Sequence, residues 1–181
     1  MTPLERSTVY APGSYVWGPL SGLGLGAALA TAILDQASKF WVLYVYDLKT
    51  KGAVRLTPFL DFVLTWNKGI SYGLFQQEGP VGQWALLAFK AAAVVFLWAW
   101  LARTTTRLTA LSLGLIIGGA IGNSVDRLLH GAVADFVLLH LTTASFSFQW
   151  YVFNLADTAI VAGVVGLLYD SLWGHSAAKA P

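Results

Sequence analysis

The sequence predicts an all-α membrane protein with four transmembrane helices and a small β element outside the bilayer. The first observation is compositional: 56% of residues are hydrophobic and only 11% charged, with a mean hydropathy of +0.63, well outside the range of soluble domains. The second is the spacing of four apolar stretches, each close to the roughly 20 residues that cross a hydrocarbon core about 30 Å thick. The third is where the few ionisable residues fall. They gather beside those stretches, where a charge costs about 2.5 to 3.5 kcal/mol even on the lenient insertion scale and so marks a functional position.

The working domain spans residues 16–173, between an N-terminal tail (1–15) and a C-terminal tail (174–181). The first span runs from Val16 to Leu34, and the uncharged stretch from Ser7 to Leu34 that contains it is too long for the apolar core of a cleaved signal peptide. Gly18, Gly22, Gly26 and Ala30 recur on it at every fourth position, a small-residue stripe on which another helix could pack closely. Asp35 and Lys39 follow one turn apart at its far end. From Asp47 to about Gly82 the chain is polar enough to lie outside the membrane, and Val54 to Trp66 reads as one or two short strands with Pro58 at an edge or bend. The second span, Gln83 to about Leu101, is apolar except for Lys90, whose long stem can snorkel or reach a partner. Arg103 to Arg107 forms a tight basic turn. The third span, Leu108 to about Leu129, carries a stripe at Gly114, Gly118 and Gly122 that leads to Asp126, and a parallel row of Gly119, Asn123 and Arg127. From His130 to Tyr151 the chain leaves the core, and the alternation of Phe146, Phe148, Trp150 and Val152 with polar neighbours reads as a half-buried strand that could pair with the earlier one. The fourth span is about Val152 to Trp173, with Asp157 and Asp170 near its ends.

Parity then limits the chemistry. With four spans both termini share one side, and the loops after the first and third spans share the other. Asp35, Lys39, Asn67, Asn123, Asp126, Arg127, Asp135, Asn154 and Asp157 all converge on that second side. The absence of Cys removes thiolate nucleophiles, disulfides and cysteine-ligated metals. His130, His140 and His175 form no metal-binding pair at helical spacing, so no metal and no cofactor is expected. A scattered net charge of +2 gives no nucleic-acid surface. Two carboxylates brought together can share a proton, one acting as base on a water and the other as acid toward the leaving group.

Each residue also has a plainer reading. Asp126 beside Arg127 reads as a local ion pair at a helix end, and Asp35 with Lys39 as a structural pair. Asn154 reads as the cap of the fourth span with Asp157 in its first turn. Asp135 reads as a solvated loop residue, although Val133, Ala134, Phe136 and Val137 hold it against the core. Spacing alone does not choose between Asp126 and Asp135. A proton-coupled transporter using Asp157, Asp126, Arg127 and Lys90 as a relay, and a non-catalytic membrane scaffold, are the alternatives.

The blocks D-Q-A-S-K (35–39), N-K-G-I-S-Y-G (67–73), G-G-A-I-G-N-S-V-D-R (118–127), V-A-D-F (133–136) and F-N-L-A-D (153–157), in this order, resemble those of lipoprotein signal peptidase, the type II signal peptidase family of bacteria. The resemblance implies a monomeric intramembrane aspartic endopeptidase of the inner membrane, with cytoplasmic termini and an extracytoplasmic active site and β element. Such enzymes remove the signal peptide of diacylglyceryl-modified prolipoproteins just before the lipidated Cys, work in contact with membrane lipid, and are blocked by globomycin-type inhibitors. Carried over by block, it implies a catalytic pair of Asp135 and Asp157. It places Asn67, Asn123, Arg127 and Asn154 along the substrate, and makes Asp126, Asp35 and Lys39 supporting residues. Ile70, Ser71, Tyr72 and Ala134 depart from the family's usual residues, and the segment between Asp135 and Asp157 is slightly long.

Overall fold

A computed structural model describes residues 15–69, 80–143 and 145–174. The tails before Tyr15 and after Gly174, and the part of the N-K-G-I-S-Y-G block from Ile70 onward, lie outside the described residues. The order of elements is α1 (Ser21–Phe40, prolonged as a π-helix over Trp41–Val45), α2 (Leu48–Lys51), β1 (Val54–Thr57), β2 (Leu60–Asn67), α3 (Pro80–Leu101), α4 (Arg107–His130), β3 (Val133–Thr142), β4 (Ser147–Gln149) and α5 (Leu155–Tyr169), which also ends in a π-helical stretch, Asp170–Gly174.

Helix α4 is the axis of the molecule: α1, α3 and α5 each pack on it. Of its apolar window 56% is buried, against 6% for α3 and 17% for α5. Its glycines allow this. A Cβ at Gly118 would meet the Ala28 carbonyl of α1, and one at Gly119 would lie 2.6 Å from the Ala156 carbonyl of α5, so helix backbones approach to a distance that only small residues permit. The stripe at Gly114, Gly118 and Gly122 does face α1. The stripe expected on the first span packs only at Gly18, where a Cβ would meet the Ala102 carbonyl; Gly22 and Gly26 face open space and Ala30 is exposed. The buried face of α1 is instead Ser21, Gly24, Ala28, Thr31, Asp35 and Lys39. A period of four drifts off one face of a 3.6-residue helix, whereas that set follows its mixed spacing of three and four.

Among the described residues three helices are long and apolar enough to cross a membrane: Val81–Leu101, Arg107–His130 and Leu155–Trp173. α1 is amphipathic, with small and polar residues inward and Leu23, Leu29, Ile33, Leu34 and Phe40 outward. It also begins at Ser21 rather than Val16, and α5 begins at Leu155 rather than Val152. α3 and α5 likewise expose Trp84, Phe89, Phe96, Val161, Val165 and Leu168. Apolar patches of this extent are stable only against lipid or protein.

The four strands form one antiparallel sheet in the order β1-β2-β3-β4. β1 and β2 join through a two-residue turn at Pro58 and Phe59, with Thr57 opposite Leu60. The ten-residue β3 is a strand that alternation does not reveal. Residues 133–136 are all buried, and a strand covered on both faces shows no period of two. The segment around Phe146 gives only the short β4. It is exposed rather than half-buried, and it pairs with β3 and not with β1 or β2. Phe153, expected inside the fourth span, instead bridges to Val137 of β3. Val42, Leu48 and Phe136 form the core beneath the sheet, and Ala28, Leu101, Ala110, Leu113 and Ile117 the core between the helices.

Candidate active site

The end of α4 organises the site. Gly131 adopts φ 72°, the left-handed conformation that glycine adopts at no steric cost, and donates its N–H to the Arg127 carbonyl. The helix therefore stops one turn past Arg127, and the chain reverses into β3. Asp126 seals the corner by accepting from the Ala134 N–H at 3.0 Å.

Asp126 does not pair with Arg127 as the sequence suggests. Adjacent residues on a helix point about 100° apart, so the two side chains enter different environments. Asp126 turns to α1, where Lys39 Nζ lies 2.9 Å from its Oδ2 and Gln36 Nε2 donates to its Oδ1 at 2.8 Å. Lys39 also bonds Asp35 Oδ2 at 2.8 Å and Asn123 Oδ1 at 3.0 Å, which engages all three ammonium protons. Asp35 Oδ1 accepts from the Ala156 N–H at 2.9 Å, tying α1 to the start of α5. All three charged side chains are at most 3% exposed. Gln36, in the D-Q-A-S-K block, was not marked by charge or spacing. Neither was Gln83 of α3, which donates to the Arg127 carbonyl at 2.6 Å.

Asp135 lies within β3, buried, rather than in a solvated loop. Opposite it on β2 is Thr65, and Asn67 is opposite Val133. Asn67 therefore sits on the diagonal to Asp135 and donates Nδ2 to its Oδ2 at 3.1 Å. Asn154 donates to Asp135 Oδ1 at 2.6 Å and to Asn123 Oδ1 at 3.1 Å. Asn154 also caps α5 in a reciprocal box, its Oδ1 accepting from the Asp157 N–H at 3.0 Å while Asp157 Oδ2 accepts from the Asn154 N–H at 3.3 Å. The capping expectation for Asn154 and Asp157 thus holds, and it leaves Asp157 Oδ1 to accept from Asn123 Nδ2 at 2.9 Å. Burial, and secondarily the nearby charge of Asp157, push the Asp135 carboxyl up to about 6, against the opposing effect of the Asn67 and Asn154 donors and of Lys39.

Asp157 instead faces a cavity of about 250 Å³ between α3 and α5. Asn67, Gly69, Lys90, Asn123, Arg127 and Tyr151 supply its polar wall, and Leu86, Ile160 and Val161 its apolar one. Arg127 donates one Nη2 bond to the Gly69 carbonyl, while its buried Nε and Nη1 have no hydrogen-bond partner among the described residues. The structure therefore brings every sequence-marked residue into one connected cluster. Hydrogen bonds through Asn123 and Asn154 link the two carboxylates, and the space beside one of them is bordered by Lys90 and by Arg127, two of whose buried donors are unengaged among the described residues. Such an arrangement can hold a water between an acid and a base and grip carbonyl oxygens near it.

The profile of the family described as Signal peptidase (SPase) II matches residues 27–173. The lipoprotein signal peptidase of Nitrobacter hamburgensis is 61% identical over 158 residues, covering 87% of this chain and 96% of that protein. Those of Rhodopseudomonas palustris and Methylorubrum extorquens are 57% and 56% identical, over 88% and 87% of this chain and 97% and 89% of theirs. Two solved bacterial membrane enzymes share the fold. One has a TM-score of 0.70 at 23% identity, covering 88% of this chain and 92% of that one. The other has 0.66 at 22%, covering 84% and 94%. With its helices suited to a bilayer, its carboxylates joined in one polar cluster and a match that runs through all five motif blocks, this chain belongs to the signal peptidase II family, a family of multi-pass membrane aspartic peptidases.

Proposed function

We propose that this protein removes the signal peptide from diacylglyceryl-modified prolipoproteins, cleaving just before the lipidated Cys with Asp135 and Asp157 as the catalytic pair. The observation that carries the assignment is the linkage of these two carboxylates through Asn123 and Asn154 at the edge of the cavity. Asp126, the competing candidate, is fully engaged by Lys39, Gln36 and Ala134. The relatives named as lipoprotein signal peptidases support the substrate class.

The signal segment enters laterally from the bilayer between α3 and α5, and its acyl chains stay in lipid. Asp157, on the cavity wall, takes a proton from a water that attacks the scissile carbonyl. Asp135, whose carboxyl burial pushes up to about 6, carries the pair's proton and gives it to the departing amide nitrogen. Asn67, Asn123, Arg127 and Asn154 position the peptide, and the two unengaged Arg127 donors suit carbonyls flanking the cleaved bond. A globomycin-type inhibitor would occupy the same donors. Asp35, Lys39 and Asp126 support the site from behind.

In this reading α1 is the fourth crossing. Its outward Leu, Ile and Phe side chains meet lipid while its small and charged residues face α4. The working unit is residues 16–173 as a monomer in the inner membrane, with cytoplasmic termini and the sheet and dyad on the extracytoplasmic side. The test is cleavage of a diacylglyceryl-modified prolipoprotein by the purified protein in lipid, followed as a gel shift. Asp135→Asn and Asp157→Asn should each lose roughly 10³-fold or more in rate while remaining folded. An active Asp135→Asn enzyme would return Asp126 to candidacy.

A further inference from the structure

Lys90 is the sole ionisable residue of α3 between Val81 and Leu101, in a helix where a charge is expensive and persists only for a reason. It lies outside the five motif blocks. Its side chain lines the cavity with Asp157, Asn123 and Arg127, and it makes no hydrogen bond or ion pair to any described residue. The other membrane-depth lysine, Lys39, has three partners.

The two carboxylates of the pair have unequal surroundings. Asp135 is enclosed by β2, β3 and the α5 cap, away from the cavity wall, whereas Asp157 stands on that wall with Lys90. Arg127 of α4 and Asp157 of α5 share the cavity wall with Lys90, and the charges of Asp126 of α4 and Lys39 of α1, paired behind that wall, also reach it. The whole cluster holds four carboxylates, Asp35, Asp126, Asp135 and Asp157, against three cations, Lys39, Lys90 and Arg127. One proton on the pair makes the cluster neutral. Without Lys90 the balance would call for a second proton, and a doubly protonated pair has no base.

We propose that Lys90 is a positioning residue whose ammonium, standing in the cavity beside Asp157, keeps Asp157 ionised as the base and leaves the single shared proton on Asp135. The inference rests on the Asp135–Asp157 reading and adds to it a device that sets the roles of the two. The hydrolysis needs nothing further: the water gives its proton to Asp157, its oxygen bonds to the scissile carbon, and the proton of Asp135 goes to the amide nitrogen as the C–N bond breaks.

The experiment is the pH profile of kcat/KM for prolipoprotein cleavage by the full chain in lipid. Wild type, Lys90→Met, Lys90→Gln and Lys90→Arg are compared, with Asp135→Asn and Asp157→Asn as controls. Removal of the charge by Met or Gln should move the midpoint of the acid limb up by about one pH unit. On that limb this is about a tenfold loss that shrinks as the pH rises, and Lys90→Arg should restore the wild-type midpoint. Gln covers the case in which Met disturbs the cavity. An unmoved midpoint overturns the inference, whether activity is kept or lost equally at every pH. If the aspartate controls are inactive and the midpoint stays put, this inference alone falls. If the controls remain active, the catalytic pair is wrong and the inference falls with it.

Discussion

The polar cluster has two halves that differ in a way burial does not reveal. On the α1 side, Lys39, Asp35, Asp126, Gln36 and the Ala134 and Ala156 amides satisfy one another. On the α3 side, Arg127 is just as buried, yet two of its donors have no hydrogen-bond partner among the described residues, and Lys90 has no partner there at all. A satisfied buried charge network holds elements in register, because opening it would strand charges in a medium of low dielectric. Unmet donors beside a cavity have the opposite meaning: their cost is recovered only when a ligand arrives. Hydrogen-bond capacity left over, rather than charge or depth, separates the half beside the cavity from the half closed on itself.

The contrast is broken most forcefully on the closed side. Lys39→Met leaves Asp35 and Asp126 facing each other without their shared cation. It should cost about 3 to 5 kcal/mol, seen as a large fall in thermal midpoint in detergent or lipid. A Lys39→Met protein as stable as wild type would mean that this half is not the scaffold.

On the open side the expected change is in turnover rather than stability. Arg127→Gln removes the unmatched donors and one bond to the Gly69 carbonyl. It should lower kcat/KM by about 10- to 100-fold, the effect of losing charge-assisted hydrogen bonds to substrate, with a much smaller change in thermal midpoint than Lys39→Met. A stability loss as large as that of Lys39→Met would erase the distinction.

The smallest effect sharpens the boundary between the halves. The Asp135 carboxyl, at about 6 in the folded protein against 3.8 as its ordinary value, holds a proton that the unfolded chain has already released. The folded state therefore binds more protons between about pH 4 and 6. Stability falls as pH rises through that window and levels off above it. Asp135→Asn stays neutral throughout, so it should gain on wild type over the same window by on the order of 1 to 2 kcal/mol. The gain is limited because an amide cannot accept from both Asn67 and Asn154. Thermal midpoints from pH 4 to 7.5 would show it, and a constant difference across that range would contradict the raised carboxyl.

Hydropathy in the sequence alone determined much of this protein. Long apolar runs need a membrane, three of the four expected runs fold as helices suited to one, and the candidate residues at the ends of α1, α4 and α5 meet in one cluster. The glycine stripe of α4 and the cap formed by Asn154 and Asp157 were also legible, because both depend on local spacing. Tertiary structure alone decided what each charge does. Asp126 and Arg127 are neighbours in sequence but diverge around the helix, one to Lys39 and one to the cavity. β3 is hidden to pattern reading because both of its faces are covered where Asp135 sits. The inward face of α1 could not be chosen among several small-residue rows until α4 packed against one of them. Lys90 read equally as a snorkelling charge or a functional one, and only the cavity between α3 and α5 placed it beside Asp157. Local propensity acts through neighbours in the chain, whereas the environment of a buried charge is made by groups distant in sequence, such as Asp35 and the Ala156 amide, 121 positions apart.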